Sequence, residues 1–147
     1  MGFQLRRALL SYAVAAVVFL VVDLVWLTVV ATDLYVDQLG PLQAESVRVG
    51  AAVLFYALFV AGLVYFVVLP ALARDSVRWA VSAGAFFGLV TYATWDLTSL
   101  AVIEGFPAAL VPIDLAWGAV LSATVCGATT LVMRRLGHAS TDAVTGR

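Results

Sequence analysis

Three aspartates, Asp23, Asp96 and Asp114, interrupt long apolar stretches of this chain. An apolar stretch of about 20 residues is long enough to form a membrane-spanning helix. An ionisable side chain inside a bilayer is energetically expensive, so residues of this kind are candidates for a functional site. The three carboxylates are therefore the first candidates for chemistry in this sequence.

Tryptophans recur at a fixed distance from two of these aspartates. The pattern Asp-Leu-x-Trp runs from Asp23 to Trp26 and again from Asp114 to Trp117. A spacing of three residues places the carboxylate and the indole on neighbouring positions of one helix face. Each pair would bring a hydrogen-bond acceptor, a donor and an aromatic wall to one place.

Asp96 has polar and aromatic neighbours of its own. Tyr92 and Ser99 lie about one helical turn before and after it, and Trp95 directly precedes it. Aromatic rings beside carboxylates suit organic cations. The candidate ligand-binding residues are Asp23, Trp26, Tyr92, Trp95, Asp96, Ser99, Asp114 and Trp117.

The apolar stretches that carry these acids contain no Arg, Lys or His that could neutralise them. Three alternatives follow. The acids are protonated, because low dielectric and neighbouring like charges disfavour the ionised form. They line a water-filled cavity that opens to the outside. Or they hold a cation, which is a proton, a metal ion or the ammonium group of a ligand.

Structural roles compete with these functional ones. Tryptophans are common at the edges of a membrane. Asp114 follows Pro112, so it could cap the first turn of its helix and favour the helix dipole. Asp23 and Asp96 lie well inside helical stretches, where their structural role would be hydrogen bonding between helices.

Motifs for other chemistry are missing from the sequence. It has no phosphate-binding glycine loop, no paired histidines for haem or zinc, and one cysteine, Cys126, which cannot form an internal disulfide. No serine in an apolar stretch has a histidine base. We therefore assign no catalytic residue, and we leave the metal and any cofactor unknown.

Composition and hydropathy indicate a membrane protein. The chain is 64% hydrophobic and 12% charged, against about 25% charged in soluble domains. Its net charge of -1 gives nucleic acid no basic surface to bind. We predict an all-α integral membrane domain over residues 1–136, a short interfacial helix near Leu34, Tyr35 and Leu39, and a flexible tail over 137–147. The predicted transmembrane helices cover residues 8–31, 49–72, 79–102 and 109–133.

Arginines flank these four helices asymmetrically. Two precede the first helix, two lie in the loop of residues 70–78, and two follow the fourth helix, whereas the other two loops have one and none. The positive-inside rule then places both termini in the cytoplasm. With a rise of about 1.5 Å per residue, all three aspartates fall in the outer third of the bilayer.

Small residues recur every four positions on the third and fourth helices, which lets helix backbones approach closely in lipid. The sequence leaves open whether these faces pack within one chain or between two. They are Ala80, Gly84 and Gly88 on the third helix, and Ala119, Ala123 and Gly127 on the fourth.

Several segments together resemble a known family. They are Phe19-Leu-Val-Val-Asp-Leu-Val-Trp-Leu27, Asp33-Leu-Tyr35 with Leu39-Gly40, Leu54-Phe-Tyr, Gly62-Leu-Val-Tyr-Phe66, Leu69-Pro70, Gly88, Tyr92-Ala-Thr-Trp-Asp-Leu-Thr98 and Asp114-Leu-Ala-Trp-Gly118. With these segments the chain resembles, over about residues 8 to 133, the bacterial membrane proteins grouped as domain of unknown function 2177. The resemblance implies a four-helix protein of the bacterial cytoplasmic membrane and includes the same Asp and Trp positions. It implies no activity, substrate or cofactor.

The leading hypothesis is an outward-facing acidic and aromatic pocket that binds, and in its stronger form translocates, a cation, a proton or a small cationic or lipidic ligand. One alternative is a non-catalytic subunit or assembly factor of a larger membrane complex, in which Asp23 and Asp96 are hydrogen-bonded and the small-residue faces contact a partner. Another is an enzyme of lipid modification, with a groove from the aspartates to the lipid. The bilayer is the expected partner in each case. Four helices enclose little space, so a transport pathway would form more easily in a homo-oligomer.

Overall fold

The computed structural model describes residues 2–29 and 46–145, and all regular structure in these residues is helical. Four helical spans are long and apolar enough to cross a membrane, namely Gln4–Val29, Val49–Ala73, Val77–Val102 and Leu110–Gly137. The predicted all-α fold with four transmembrane helices is thus confirmed. The helices are α1 (Gly2–Val29), α2 (Val49–Leu63), α3 (Leu69–Ala73), α4 (Val77–Val102) and α5 (Leu110–Thr145).

Two sequence predictions concern residues at or beyond the limits of the described structure. The interfacial helix near Leu34, Tyr35 and Leu39 lies outside the described residues. The backbone of α5 continues helically to Thr145. Because helix ends fray, the flexibility expected of residues 137–147 stays a prediction.

The surface of the bundle is strongly apolar. Large apolar side chains such as Phe86 and Tyr65 are each 68% exposed. Among the described residues, eight polar or acidic side chains are also buried, namely Ser11, Asp23, Asp96, Ser99, Asp114, Ser122, Thr129 and Thr130. Apolar surface outside and polar groups inside suit a bundle that is surrounded by lipid rather than water.

The second span contains one wider helical turn. Residues Val64–Val68 form a π-helical turn between α2 and α3, in which the N–H of Leu69 bonds to the carbonyl of Val64. Pro70 follows immediately and has no N–H to donate, and its ring would clash with a carbonyl one turn earlier. The wider turn accommodates the proline without breaking the span.

A tight turn joins the second and third spans. Asp75 adopts a φ of 49° in this turn, and the Ser76 side chain caps α4 by accepting a hydrogen bond from the Trp79 N–H at 3.2 Å. Arg134 near the end of the fourth span forms an ion pair with Asp75 at 2.6 Å. This contact gathers the arginine-rich segments at one end of the bundle, which we call the arginine end.

The third and fourth spans make the most extensive contact in the bundle. A Cβ added at Gly84 would lie 2.8 Å from the Ser122 carbonyl oxygen and 3.0 Å from the Cys126 Cβ. A Cβ at Gly88 would overlap the Gly118 carbonyl. Because only glycine fits there, the small-residue face of the third span packs within the chain. This answers the question that the sequence left open.

The matching face of the fourth span differs from the predicted one. It runs along Gly118, Ser122 and Cys126, one position before the alanines and glycine expected from the pattern. Gly127 lies at the edge of the contact, where an added Cβ would be 2.9 Å from a Val81 methyl. Serine and cysteine are nearly as small as alanine, so they allow the same close approach.

An apolar core fills the interior between the acidic layer and the arginine end. Phe19 lies one turn from Asp23 in the direction of that end, and it packs with Phe59 and Leu63 of the second span. Leu121 and Val125 complete this core from the fourth span and are fully buried. The three aspartates thus lie in a polar layer above a mostly apolar interior.

Candidate functional site

All four spans contribute to a cluster at the end of the bundle opposite the arginine end. Asp23, Asp96 and Asp114 are 7%, 0% and 6% exposed. Each lies less than two turns from the end of its span on that side. Asp96 and Asp114 are close enough to interact electrostatically, so the acids of the third and fourth spans face one region.

Asp23 is held by a tyrosine from the second span. The Tyr56 hydroxyl donates a hydrogen bond to Asp23 Oδ2 at 2.9 Å. The bond joins the first two spans, as expected of a structural aspartate between helices. Tyr56 was not among the sequence candidates, because its span contains no charge.

The sequence did contain a signal for Tyr56. Counted at about 1.5 Å per residue, it lies roughly 10 Å from the start of the second span. That depth is the same as the depth of the three aspartates. Tyr56 is therefore a polar side chain at the same depth as the acids, on the one span that carries no charge.

Tyr92 lies at the centre of the cluster. Its ring packs directly on the backbone of Gly118, since a Cβ there would overlap the ring. Its hydroxyl interacts electrostatically with Asp23, Asp96 and Asp114. The glycine therefore allows an aromatic donor to approach all three acids.

Trp26 and Trp117 form a stacked pair, with ring centroids 4.2 Å apart and planes inclined by 9°. The Trp117 indole lies beside the Asp23 carboxylate, although its N–H is outside hydrogen-bond geometry. The Trp26 N–H is buried and has no hydrogen-bond partner among the described residues. The two Asp-Leu-x-Trp patterns thus meet through their tryptophans.

Asp96 is the least satisfied residue of the cluster. Both carboxylate oxygens are buried, and within residues 2–29 and 46–145 neither has a hydrogen-bond partner. Ser99, one turn further along α4, is also buried. A buried charge without a partner is strongly unfavourable, and even a neutral polar group costs about 1–3 kcal/mol when its hydrogen bonds are missing. Asp96 therefore requires either a proton or a partner other than the described side chains.

Trp95 is not brought into this group. Its side chain is 65% exposed on the outer surface of the third span, where the ordinary role of an interfacial tryptophan fits it better. Asp114 lies just beyond the first turn of α5, which contains no acid. We define the acidic–aromatic cluster as Asp23, Trp26, Tyr56, Tyr92, Asp96, Ser99, Asp114 and Trp117.

The arrangement of the acidic side chains affects which cations the cluster could bind. Within the described part of the chain, the side chains of Asp, Glu, His and Cys form no group of three that could hold one metal ion. Each of the three aspartates lies within electrostatic range of Tyr92. Aromatic rings near carboxylates suit an organic cation.

Comparison with known proteins identifies the family. The family model DUF2177, described as a predicted membrane protein, matches residues 8–131. The chain belongs to the DUF2177 family. No curated protein and no solved structure matches it. Membership in DUF2177 confirms the resemblance seen in the sequence.

The family match also covers the whole site. Every residue of the acidic–aromatic cluster lies within the matched region of this DUF2177 protein. The DUF2177 description agrees with the four spans and with a membrane location. It assigns no activity to the cluster, so the function must be argued from the geometry.

Proposed function

We propose that this protein binds a cation, either a proton or the ammonium group of a small or lipidic ligand, at the acidic–aromatic cluster. The observation that carries the proposal is Asp96, which is 0% exposed and has no hydrogen-bond donor to either oxygen in the described residues. An acidic side chain inside a membrane is either paired with another group of the protein or belongs to a functional site. Asp96 is not paired with any side chain that the structure describes.

The charge balance supports the same conclusion. Residues 8–47, 49–73 and 79–133 contain no Arg, Lys or His. The ion pair Arg134–Asp75 lies at the opposite end of the bundle. No basic residue of the spans lies at the depth of Asp96, so a bound proton or ligand cation would neutralise this acid.

The roles of Asp23 and Asp96 differ. Asp23 accepts the Tyr56 hydrogen bond, which is what the subunit hypothesis expects of both aspartates. Asp96 accepts none from the described residues, and the glycine face of the third span is occupied by the fourth span of the same chain. These two observations favour a binding site over a purely structural cluster.

Binding is favoured over passage through a single chain. Phe19, Leu63 and Leu121 belong to an apolar core between the cluster and the arginine end. A charged ion that crossed one chain would have to enter this core at a high desolvation cost. Translocation, as the stronger form of the proposal, would therefore use a path between two chains.

The orientation belongs to the proposal as well. Six arginines flank the spans at the arginine end (Arg6, Arg7, Arg74, Arg78, Arg134 and Arg135), whereas Arg48 alone flanks a span at the other end. The positive-inside rule then places the arginine end in the cytoplasm. In the cytoplasmic membrane of a bacterium, both termini would then be inside. The cluster would face outward, where it could take up a ligand from the outer leaflet or the surrounding water.

The test is a thermal-stability screen of the purified protein with organic and metal cations, comparing the native protein with Asp96→Asn. A ligand at about 100 times its dissociation constant stabilises a protein by about 2.7 kcal/mol. For a chain of this size, that raises the Tm by about 5–10 °C. The control is Asp75→Asn, which removes an exposed acid at the other end of the bundle.

A cation that stabilises the native protein and Asp75→Asn, but not Asp96→Asn, supports the proposal. Equal stabilisation of all three proteins overturns it, because the cation would then act elsewhere. The absence of stabilisation by any cation between pH 5 and 9, with no difference in pH response between native protein and Asp96→Asn, also overturns it.

A further inference from the structure

We infer that the arginine end is a binding surface for the headgroups of anionic phospholipids, such as phosphatidylglycerol. The inference goes beyond the proposed function, because it concerns the opposite end of the bundle from the acidic–aromatic cluster. Residues 1–7, 74–78 and 134–137 border the spans at this end and contain six arginines and one acid, Asp75, which gives a net side-chain charge of +5. We define the arginine surface as Arg6, Arg7, Arg74, Arg78, Arg134 and Arg135.

Two contacts hold the guanidinium of Arg74 at this end of the bundle. It lies over the Trp79 ring, 4.4 Å from the ring centroid, and its Nη1 donates a hydrogen bond to the Pro70 carbonyl oxygen at 3.2 Å. This hydrogen bond uses one of the five N–H donors of a guanidinium. A side chain that is already ordered loses little conformational entropy when it binds a ligand, so Arg74 is a favourable phosphate ligand.

Arg134 is attached to the same turn. Its Nε lies 2.6 Å from Asp75 Oδ1, and its Nη2 donates a hydrogen bond to Asp75 Oδ2 at 3.2 Å. This two-point contact joins the end of the fourth span to the turn that carries Arg74. Asp75 thus compensates one positive charge of the surface, and among the described residues no carboxylate forms an ion pair with the other five arginines.

The position of the arginine surface favours a lipid as its partner. The six arginines lie at the ends of the apolar spans, which is the level of the polar headgroups in a bilayer. Apolar side chains just inside this level are exposed on the outer faces of the spans, among them Leu9, Val81 and Leu131. An anionic phospholipid would place its phosphate beside the arginines and its acyl chains on these side chains. A soluble polyanion would match the charge alone.

The charge of the surface favours anionic over zwitterionic headgroups. Arginine binds phosphate through two parallel N–H···O bonds, and a group of about four to eight basic residues beside a membrane helix is typical of anionic-lipid binding. Phosphatidylcholine also carries a phosphate, but the excess positive charge would repel its ammonium group. Phosphatidylglycerol carries the same phosphate without a cation.

The experiment titrates the purified protein in neutral detergent with phosphatidylglycerol and, separately, with phosphatidylcholine of the same acyl chains. Thermal unfolding reports binding, because a ligand of the folded state raises the Tm as its concentration increases. Phosphatidylglycerol should raise the Tm of the native protein by more than phosphatidylcholine does at every concentration. The difference should decrease as salt is added, since exposed charges are screened over about 10 Å at 0.1 M ionic strength.

Arginine variants at the two ends of the bundle locate the site. Arg74→Gln and Arg135→Gln each remove one charge of the arginine surface and should weaken phosphatidylglycerol binding about fivefold. Arg48→Gln makes the same change at the opposite end of the second span, where the Arg48 side chain makes no capping hydrogen bond. This control should bind phosphatidylglycerol as the native protein does.

Asp75→Asn should have the opposite effect. It removes the acid that compensates Arg134, so phosphatidylglycerol should bind about fivefold more tightly. Asp75 is 70% exposed and has a φ of 49°, a conformation that asparagine also adopts readily, so the variant should fold. Damage to the fold would not increase affinity, so this variant keeps the test valid if an arginine variant is unstable.

The inference is overturned if phosphatidylcholine stabilises the native protein as strongly as phosphatidylglycerol, or if Arg48→Gln weakens binding as much as Arg74→Gln. It is also overturned if Asp75→Asn weakens binding. Inorganic phosphate and polyglutamate are tested in parallel, and stabilisation by either that equals the effect of phosphatidylglycerol would assign the surface to a soluble anion instead. Asp96→Asn should bind phosphatidylglycerol as the native protein does, so this inference and the proposed function can fail separately.

Discussion

Replacing Gly88 by alanine is the sharpest structural perturbation that this chain offers. The added Cβ would overlap the carbonyl of Gly118 on the neighbouring span. A backbone carbonyl cannot rotate away as a side chain can. The third and fourth spans would therefore have to separate, and this contact is the most extensive in the bundle.

The expected cost follows from two opposing effects. Overpacking a tight contact costs about 1–3 kcal/mol, whereas alanine gains about 0.5–1 kcal/mol over glycine inside a helix. Gly88→Ala should therefore lose about 0.5–2 kcal/mol of unfolding free energy. At Gly50 a Cβ would meet nothing within 4 Å, so the same substitution should be neutral or stabilising there.

The assay is thermal or denaturant unfolding of the native protein, Gly88→Ala and Gly50→Ala in one detergent. The two variants carry the same chemical change and should differ by about the overpacking cost, which corresponds to roughly 2–12 °C in Tm. Gly62→Ala should fall between them, because its nearest neighbour is Phe87 Cζ at 3.1 Å, an atom of a side chain that can shift.

Gly88→Ala should also weaken cation binding, since this contact positions Asp96 beside Asp114. The reasoning is refuted if Gly88→Ala unfolds at the same temperature as Gly50→Ala or above it. It is likewise refuted if the order of Gly88, Gly62 and Gly50 is reversed, because the ranking depends only on what each Cβ would meet.

Three further predictions concern single contacts. Tyr56→Phe leaves Asp23 Oδ2 without its donor and should lower the unfolding free energy by about 1–3 kcal/mol; an unchanged denaturation midpoint would show that the bond contributes nothing. Ser76→Ala removes the side-chain cap of α4 and should cost about 0.5–2 kcal/mol, which Ser76→Asp should largely restore in the same unfolding assay. Arg134→Gln breaks the ion pair with Asp75, whose side chain is 70% exposed, and should cost less than about 1 kcal/mol. Its effect should shrink at high salt, so a larger loss that salt leaves unchanged would contradict this interpretation.

The fold was largely predictable from the sequence because few backbone structures are stable in lipid. Four apolar stretches, separated by turns and charges, become four helices since every backbone group must be bonded within its own span. The π-helical turn at Val64–Val68 was not predicted. It follows from Pro70, and proline in a membrane helix is accommodated in several ways that the sequence alone does not distinguish.

The position of each aspartate along its helix could be read from the sequence, but the direction in which a side chain faces could not. A rise of about 1.5 Å per residue placed Asp23, Asp96 and Asp114 in one layer, and the structure buries all three. Depth says nothing about which way a side chain faces. Neighbouring residues on a helix are separated by about 100°, so Trp95 faces outward while Asp96 faces inward.

The contact between the third and fourth spans also shows that the sequence does not give the direction in which side chains face. The glycines at four-residue spacing correctly marked the face of the third span, because nothing larger fits there. On the fourth span, a count of alanines and glycines alone selected a face one position away from Ser122 and Cys126. The facing backbone decides which small residues are used, and that is a property of the pair of helices.

The most direct test of the central claim is a solid-state NMR distance between a bound cation and Asp96. The protein, with ¹³C-labelled aspartate carboxyl groups, would be reconstituted in bilayers with ¹⁵N-labelled methylammonium. Charge-assisted N–H···O bonds are about 2.7–2.9 Å long, so binding at Asp96 places the nitrogen within about 4 Å of its carboxyl carbon. The account predicts a dipolar coupling to one buried aspartate that disappears in Asp96→Asn. It is contradicted if no aspartate carbon couples to the nitrogen of any cation that binds, or if the coupling is unchanged in Asp96→Asn.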